Sequence, residues 1–227
     1  ESGKPLNGIK RMAISSEQFA IEIKKLTLNM THRARASHIG TCFSMADILA
    51  VLYNEIMNIR PANPDWKRRD RFILSKGHGA AIYYALLAEL GFFRKSLLDE
   101  YCSDGSILTG HVSNEVPGVD VATGSLGHGL SIGCGMALSL KKEGSPSKVY
   151  VIVSDGELDE GSVWEPILFA PHHNLNNLVL IVDYNKIQSF GRVEEVIRRL
   201  NPSAKFDVVS NPEFLREGAA ISDLMRP

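Results

Sequence analysis

The 227 residues carry 25 Lys and Arg against 26 Asp and Glu, a net charge of −1, with 44% apolar and 22% charged residues. That is the composition of an ordinary globular chain, and a near-neutral balance offers no basic surface to nucleic acid or an anionic membrane. No apolar run reaches the roughly 18–20 residues of a membrane span, and the three cysteines, Cys42, Cys102 and Cys134, suit neither a disulfide framework nor metal-type spacing.

Residues 1–14 read as a loose lead-in without the pattern of a secretory signal; a reducing cytoplasm is the expected compartment. Ser15 and Gln18 have capping-box spacing, and Phe19, Ile23, Leu26 and Met30 recur at helical steps behind them. A second helix is expected over about Ser44–Met57, carrying Ile48, Leu49, Leu52 and Ile56. Arg71–Ser75 reads as a short buried strand ending at Gly77-His78-Gly79, followed by a helix through Leu90 that Gly91 terminates. Lys95–Cys102 fits another short helix.

Gly124–Gly135 is rich in small residues and opens a helix through Lys142. Lys148–Val153 and Leu178–Val182 are β-branched apolar runs that read as strands, with Ser162–His173 helical between them. Pro166 is expected near the first turn of that helix, where proline is tolerated. Strands alternating with helices give an α/β fold, a parallel sheet flanked by helices, and such sheets bind ligands beyond the carboxyl ends of their strands.

Two stretches lie at such ends, Val153-Ser-Asp-Gly-Glu-Leu-Asp-Glu-Gly161 and Ile181-Val-Asp-Tyr-Asn-Lys186. Asp155 offers a carboxylate and Asn185 an amide oxygen. Both are hard oxygen ligands of the kind Mg²⁺ takes, one or two from protein and the rest from water and phosphate. Each is also an ordinary turn residue, Asp155 as a cap and Asn185 in a loop. The turn Gly127-His128-Gly129 precedes a helix whose free N–H groups and partial positive charge suit an anion. Four of the seven histidines, His38, His78, His111 and His128, lie next to or one residue from a glycine, and histidine moves protons near neutrality. His32 and the pair His172-His173 read as structural.

Taken together and in order, these stretches resemble transketolases, most of all the amino-terminal subunit of split, two-gene transketolases. The resemblance is carried by Ser154–Glu165, Asn177–Gln188, Ala36–Gly40, Ser75–Ala80, Gly110-His111 and Thr123–Leu130, and covers about residues 15–197. It implies that Asp155, Asn185 and the carbonyl of Ile187 bind Mg²⁺, which binds the diphosphate of thiamine diphosphate. Gly156 and Glu157 would line the same site, and Gly127, Leu126 and His128 would form the loop over the cofactor. His38, His78 and His111 would face the thiazolium and the sugar, and Glu160 would sit where two subunits meet. One departure is Ser154, where many thiamine enzymes have Gly.

The implied reaction moves a two-carbon ketol unit from a ketose to an aldose, sugars or sugar phosphates. The family's cofactor sits between two domains, so the resemblance implies a separate carboxy-terminal subunit bearing the pyrimidine domain. It also implies a dimer or dimer of heterodimers, and no turnover by this chain alone. Two alternatives share the Asp-Gly…Asn signature or the truncated layout: a subunit of a 2-oxo acid dehydrogenase or decarboxylase, and a cofactor-binding remnant without activity.

The end of the chain reads differently. Lys205–Pro227 resembles an internal segment of UDP-glucose/GDP-mannose dehydrogenases, so the expected division is a transketolase-like domain over 1–197 and a foreign tail over 198–227, the seam within 191–197. The tail has no Gly-x-Gly-x-x-Gly turn and no Cys, so sugar-nucleotide binding is not carried over. Val193–Leu200 reads as helix, Phe206–Val209 as strand and Pro212–Met225 as helix; this either closes the sheet edge or frays.

Overall fold

The structure, a computed structural model, describes residues 12–184 and 208–210. Its strands are β1 (Arg71–Leu74), β2 (Val149–Ser154), β3 (Leu178–Tyr184) and β4 (Val208–Ser210), which pair in parallel in that order. The helices are α1 (Ser16–Ala34), α2 (Ile39–Ser44), α3 (Ala46–Val51), α4 (Ala80–Leu90), α5 (Gly129–Lys142) and α6 (Gly161–His172). The expected parallel sheet flanked by helices is thus the observed one.

Both faces of β1 and β2 are buried, which is why these strands read as unbroken apolar runs. Phe72, Leu74, Tyr150 and Ile152 point into the layer built by α1–α4. Ile73, Val149, Val151 and Val153 point the other way, against Leu130, Cys134, Ala137 and Leu140 of α5 and Val163 of α6. Gly133 lets α5 lie close on the sheet, since a Cβ there would stand 2.6 Å from Cγ2 of Val151. Every residue of α4 except Glu89 is buried. It is the central helix of its layer, and truncating a Leu there to Ala would cost roughly 2–5 kcal/mol.

The outer edge of β1 is closed by side chains. Phe72 N–H donates to Asp120 Oδ2 at 3.1 Å, and Thr123 Oγ1 donates to the Leu74 carbonyl at 2.6 Å. Asp120 is held in turn by both terminal nitrogens of Arg69, at 2.7 and 3.0 Å. Asp70 staples the start of β1 by accepting from Asn58 N–H and Lys148 N–H, each at 2.8 Å.

Some local expectations are revised. Ser15 caps α1 by accepting from Gln18 N–H at 3.1 Å, but the reciprocal half of the capping box is absent because the Gln18 side chain donates to Glu22. Leu26 is only half-buried, while Thr27 is buried, its hydroxyl donating to the Ile23 carbonyl. The single helix expected over 44–57 starts earlier and is broken into α2, α3 and a π-helical turn at Leu52–Ile56. Lys95–Glu100 is a 3₁₀ helix.

Pro166 lies six residues into α6, beyond the first turn. The proline leaves the Ser162 carbonyl without its intrahelical donor, and Ser131 Oγ of α5 supplies one at 3.2 Å. The Phe206–Val209 strand is met in part by β4; the helices expected at 193–200 and 212–225, and the seam at 191–197, lie outside the described residues.

Among the described residues no helix is long and apolar enough to cross a membrane.

Candidate active site

The site lies beyond the carboxyl ends of β1, β2 and β3, and each strand delivers a piece of it. After β1 the chain runs Ser75-Lys76-Gly77-His78. Gly77 is forced by the close approach of the 123–124 backbone: a Cβ would stand 2.3 Å from the Thr123 carbonyl oxygen. That same backbone is tied into a small ladder, with Thr123 N–H donating to the Val112 carbonyl and Val112 N–H to the Gly77 carbonyl. The ladder brings the His111 loop beside His78.

Three histidines from separate segments meet there. The ring of His38 lies edge-on to His78 with centroids 5.2 Å apart, and to His111 with centroids 6.3 Å apart. His38 occupies the residue before α2 in a left-handed conformation, φ 70°, uncommon for a residue with a side chain. His111 is fixed through its carbonyl, which accepts from Tyr84 Oη at 2.8 Å and Thr109 Oγ1 at 2.7 Å. His78 is partly buried beside Lys76, and burial first, then the Lys76 charge and the two other histidines, push its pKa down to about 4. It is therefore a neutral acceptor or donor at physiological pH. His128, the fourth glycine-flanked histidine, stands exposed before α5, away from this contact.

At the end of β2, Asp155 uses its two oxygens differently. Oδ1 accepts from Gly156 N–H at 3.0 Å, the capping role its turn position suggests. Oδ2 is buried and has no hydrogen-bond partner among the described residues. Burial, and the neighbouring Asp183 carboxylate, raise the Asp155 pKa. A buried carboxylate oxygen left without a donor is costly, and a hard divalent cation is the partner that would satisfy it. Asn185 directly follows Tyr184 at the end of β3, the strand paired with β2 through Ser154↔Asp183. Asn185 and Ile187 themselves lie outside the described residues. Among the described residues no group of three His, Cys, Asp or Glu side chains converges.

Glu157, expected to line the cofactor site, has a structural role as well. It is fully buried. Oε1 accepts from Ser75 Oγ at 2.6 Å and Gly127 N–H at 2.8 Å, and Oε2 accepts from Ser154 N–H at 2.9 Å. It is a brace joining the ends of β1 and β2 to the 127 turn.

The same bonds correct the reading of that turn. Gly127 N–H is held by Glu157 and Gly129 N–H by Ser75 Oγ at 3.1 Å, so these two amides are already engaged and do not stand free for an anion. Gly127 is required by shape: its φ is +83°, and a Cβ would meet Ser162 Oγ at 2.4 Å and Glu160 Cβ at 2.8 Å. Leu126 precedes it half-buried, and Glu160 is exposed at the start of α6.

Sequence reasoning passed over the buried cluster beneath the histidines. Lys76 and Asp183, each 1–2% exposed, form an ion pair, and Ser44 Oγ donates to the same carboxylate at 2.7 Å. The signal was present: a Lys directly after one buried apolar strand and an Asp closing another, charges that a dry interior holds only in pairs.

A parallel sheet with a buried carboxylate oxygen that lacks a donor among the described residues, and a histidine cluster at its strand ends, has the layout of an α/β domain that binds a ligand beyond those ends. Residues 15–210 match the family described as "Transketolase, thiamine diphosphate binding domain", and the chain belongs to that family, whose cofactor is thiamine diphosphate. It is 42% identical over 175 residues to the 6-deoxy-6-sulfo-D-fructose transketolase subunit SqwG of Clostridium sp. (strain MSTE9), covering 77% of this chain and 64% of that protein. It is equally 42% identical over 174 residues to an apulose-4-phosphate transketolase subunit of Phocaeicola vulgatus, covering 77% and 62%. The chain thus spans under two thirds of the length of these relatives. Among solved structures, the transketolase of Campylobacter jejuni superposes with a TM-score of 0.77 at 32% identity, over 83% of this chain and 32% of that one.

Proposed function

We propose that this chain is the diphosphate-side component of a two-part transketolase, moving a two-carbon ketol unit from a ketose to an aldose. The observation that carries the reading is the buried Asp155 Oδ2, without a donor among the described residues, at the end of the strand next to the one that leads into the His78 turn, where three histidines converge. In this reading Asp155, Asn185 and the Ile187 carbonyl hold Mg²⁺, and Gly156 lets the chain turn closely around the diphosphate. Bound thiamine diphosphate supplies the nucleophilic carbon and electron sink. His38, His78 and His111 move protons to and from the sugar oxygens, with His78 neutral and able to accept one.

The complementary pyrimidine-side subunit is part of the proposal. The naming of both relatives as subunits supports it, and the exposed Glu160, with Leu168 and Phe169 exposed on α6, offers a contact surface for it or for a second copy. Substrates follow as sugars or sugar phosphates; the relatives' names speak of a sulfo-sugar and a sugar phosphate, so ketoses with an anionic group are the first to assay. We place the reaction in a reducing cytoplasm, which suits three free cysteines. We also keep the division near residues 191–197, with the 198–227 segment serving as sheet support, a role that the pairing of β4 with β3 favours.

The test is calorimetry of thiamine diphosphate with Mg²⁺ on the intact chain and on Asp155→Ala, followed by a ketose–aldose assay with and without a pyrimidine-domain subunit. Binding lost in Asp155→Ala and turnover only in the mixture are expected. Binding unchanged in the variant removes the metal assignment. Turnover by the chain alone removes the two-part reading, and turnover only with a 2-oxo acid replaces the reaction class.

A further inference from the structure

We propose that Lys76 and Asp183 are positioning residues: their buried pair, acting with Thr41 and Ser44, sets His38 against His78 and both against Asp155. The geometry is directional throughout. The Lys76 ammonium has three donors and three acceptors, Asp183 Oδ2, the Thr41 carbonyl at 3.3 Å and Thr41 Oγ1 at 3.1 Å. Ser44 Oγ lies 2.7 Å from each oxygen of Asp183. The short helix α2 is thereby tied to the end of β3 at Thr41 in its first turn and at Ser44, its last residue. His38 is the residue immediately before that helix, and Cys42 N–H donates to its carbonyl.

The other end of the tie reaches the cation ligand. Asp183 stands opposite Ser154 in the β2–β3 register, and its carbonyl accepts from Asp155 N–H at 3.3 Å. Lys76 lies two residues before His78, with Gly79 N–H donating back to the Lys76 carbonyl. One buried pair therefore references the left-handed His38, the His78 turn and the Asp155 turn to each other.

Stability alone does not call for such a pair, since a buried ion pair can often be replaced by apolar residues at little cost. Orientation does, because the directional bonds at Thr41 and Ser44 fix the register of α2 more finely than the packing of Cys42 and Phe43 in the core. Placing a histidine to within a fraction of an ångström is what proton transfer to a bound sugar requires. The functional weight of the device rests on the reading proposed above; its geometric content does not.

The experiment uses the full chain with labelled histidines. The nuclear Overhauser cross-peak between the His38 and His78 rings and the affinity for thiamine diphosphate with Mg²⁺ are measured in wild type, in Lys76→Met/Asp183→Asn and in Ser44→Ala. The double variant should unfold cooperatively on heating, yet lose most of the cross-peak and roughly 10–100-fold in affinity, as supporting contacts around a metal typically do. Ser44→Ala should fall between. The distant buried pair Arg69–Asp120, replaced together by Met and Asn, should leave the cross-peak intact. A folded double variant with wild-type cross-peak and affinity overturns the proposal. Should the double variant fail to fold, an undiminished cross-peak in Ser44→Ala does so instead. Wild type that binds no thiamine diphosphate counts against the function proposed above, and the cross-peak still decides the positioning claim.

Discussion

Gly127 donates its backbone N–H to Oε1 of Glu157 over 2.8 Å, so a turn before α5 and a turn after β2 share one buried carboxylate. The two other partners of that carboxylate, Ser75 Oγ and Ser154 N–H, are donors as well. Glu157→Gln would turn an amide NH₂ toward at least one of them. Leaving a buried donor unpaired should cost about 2–3 kcal/mol, read as a lower urea midpoint at unchanged slope. A midpoint equal to wild type would mean that the brace does not depend on a charged acceptor.

Two glycines of one region should respond in opposite directions. Gly127→Ala meets both a positive φ and atoms at 2.4 and 2.8 Å, and should destabilise by roughly 1–3 kcal/mol. Gly135 sits inside α5 with nothing within 4 Å of a Cβ, so Gly135→Ala should stabilise by about 0.5–1 kcal/mol. Thermal unfolding of both variants without cofactor checks the sign of each.

Asp155→Asn should make the cofactor-free chain more stable and cofactor binding worse. Burial raises the Asp155 pKa, which means that the folded state disfavours the charge it carries at neutral pH. Removing that charge should raise the melting temperature of the cofactor-free chain. The same variant should lose Mg²⁺-dependent binding of thiamine diphosphate. A lower melting temperature together with intact binding would contradict both halves.

His78 should make stability fall on acidification. Its folded pKa of about 4 lies below the ordinary 6.5, so between those values the unfolded chain binds the extra proton. The His78 contribution is fully present above pH 6.5 and is lost as pH falls toward about 4. His78→Gln should flatten the melting temperature across that window relative to wild type. Direct titration of the ring by NMR should show it neutral through pH 6; a midpoint at the ordinary histidine value would refute the burial argument.

The strands β1 and β2 were legible because both of their faces are buried, which writes continuous apolar runs such as Val149–Val153, and the strand-end position of Asp155 was legible because it follows one of them directly. The region around α2 was not. A helix over 44–57 satisfies local periodicity, yet the chain breaks at Met45, φ −101°, and Ser44 makes its decisive bond to Asp183, 139 residues away. No local pattern encodes that partner. The bracing role of Glu157 was not legible for a similar reason: beside the local Ser154 N–H, its donors Ser75 Oγ and Gly127 N–H come from elsewhere in the chain. Glycine-flanked loops singled out four histidines, His128 among them, and only the resemblance set His38, His78 and His111 apart; their ring contacts are long-range and no local pattern gives them.

The sealed flank of β1 has a consequence for how copies of the chain can meet. With Phe72 N–H and the Leu74 carbonyl already satisfied by Asp120 and Thr123, a visiting strand finds that donor and that acceptor already taken. Edge-to-edge pairing on that side would have to displace both side chains, so the flank is guarded against strand exchange by polar groups of the chain itself rather than by charge alone.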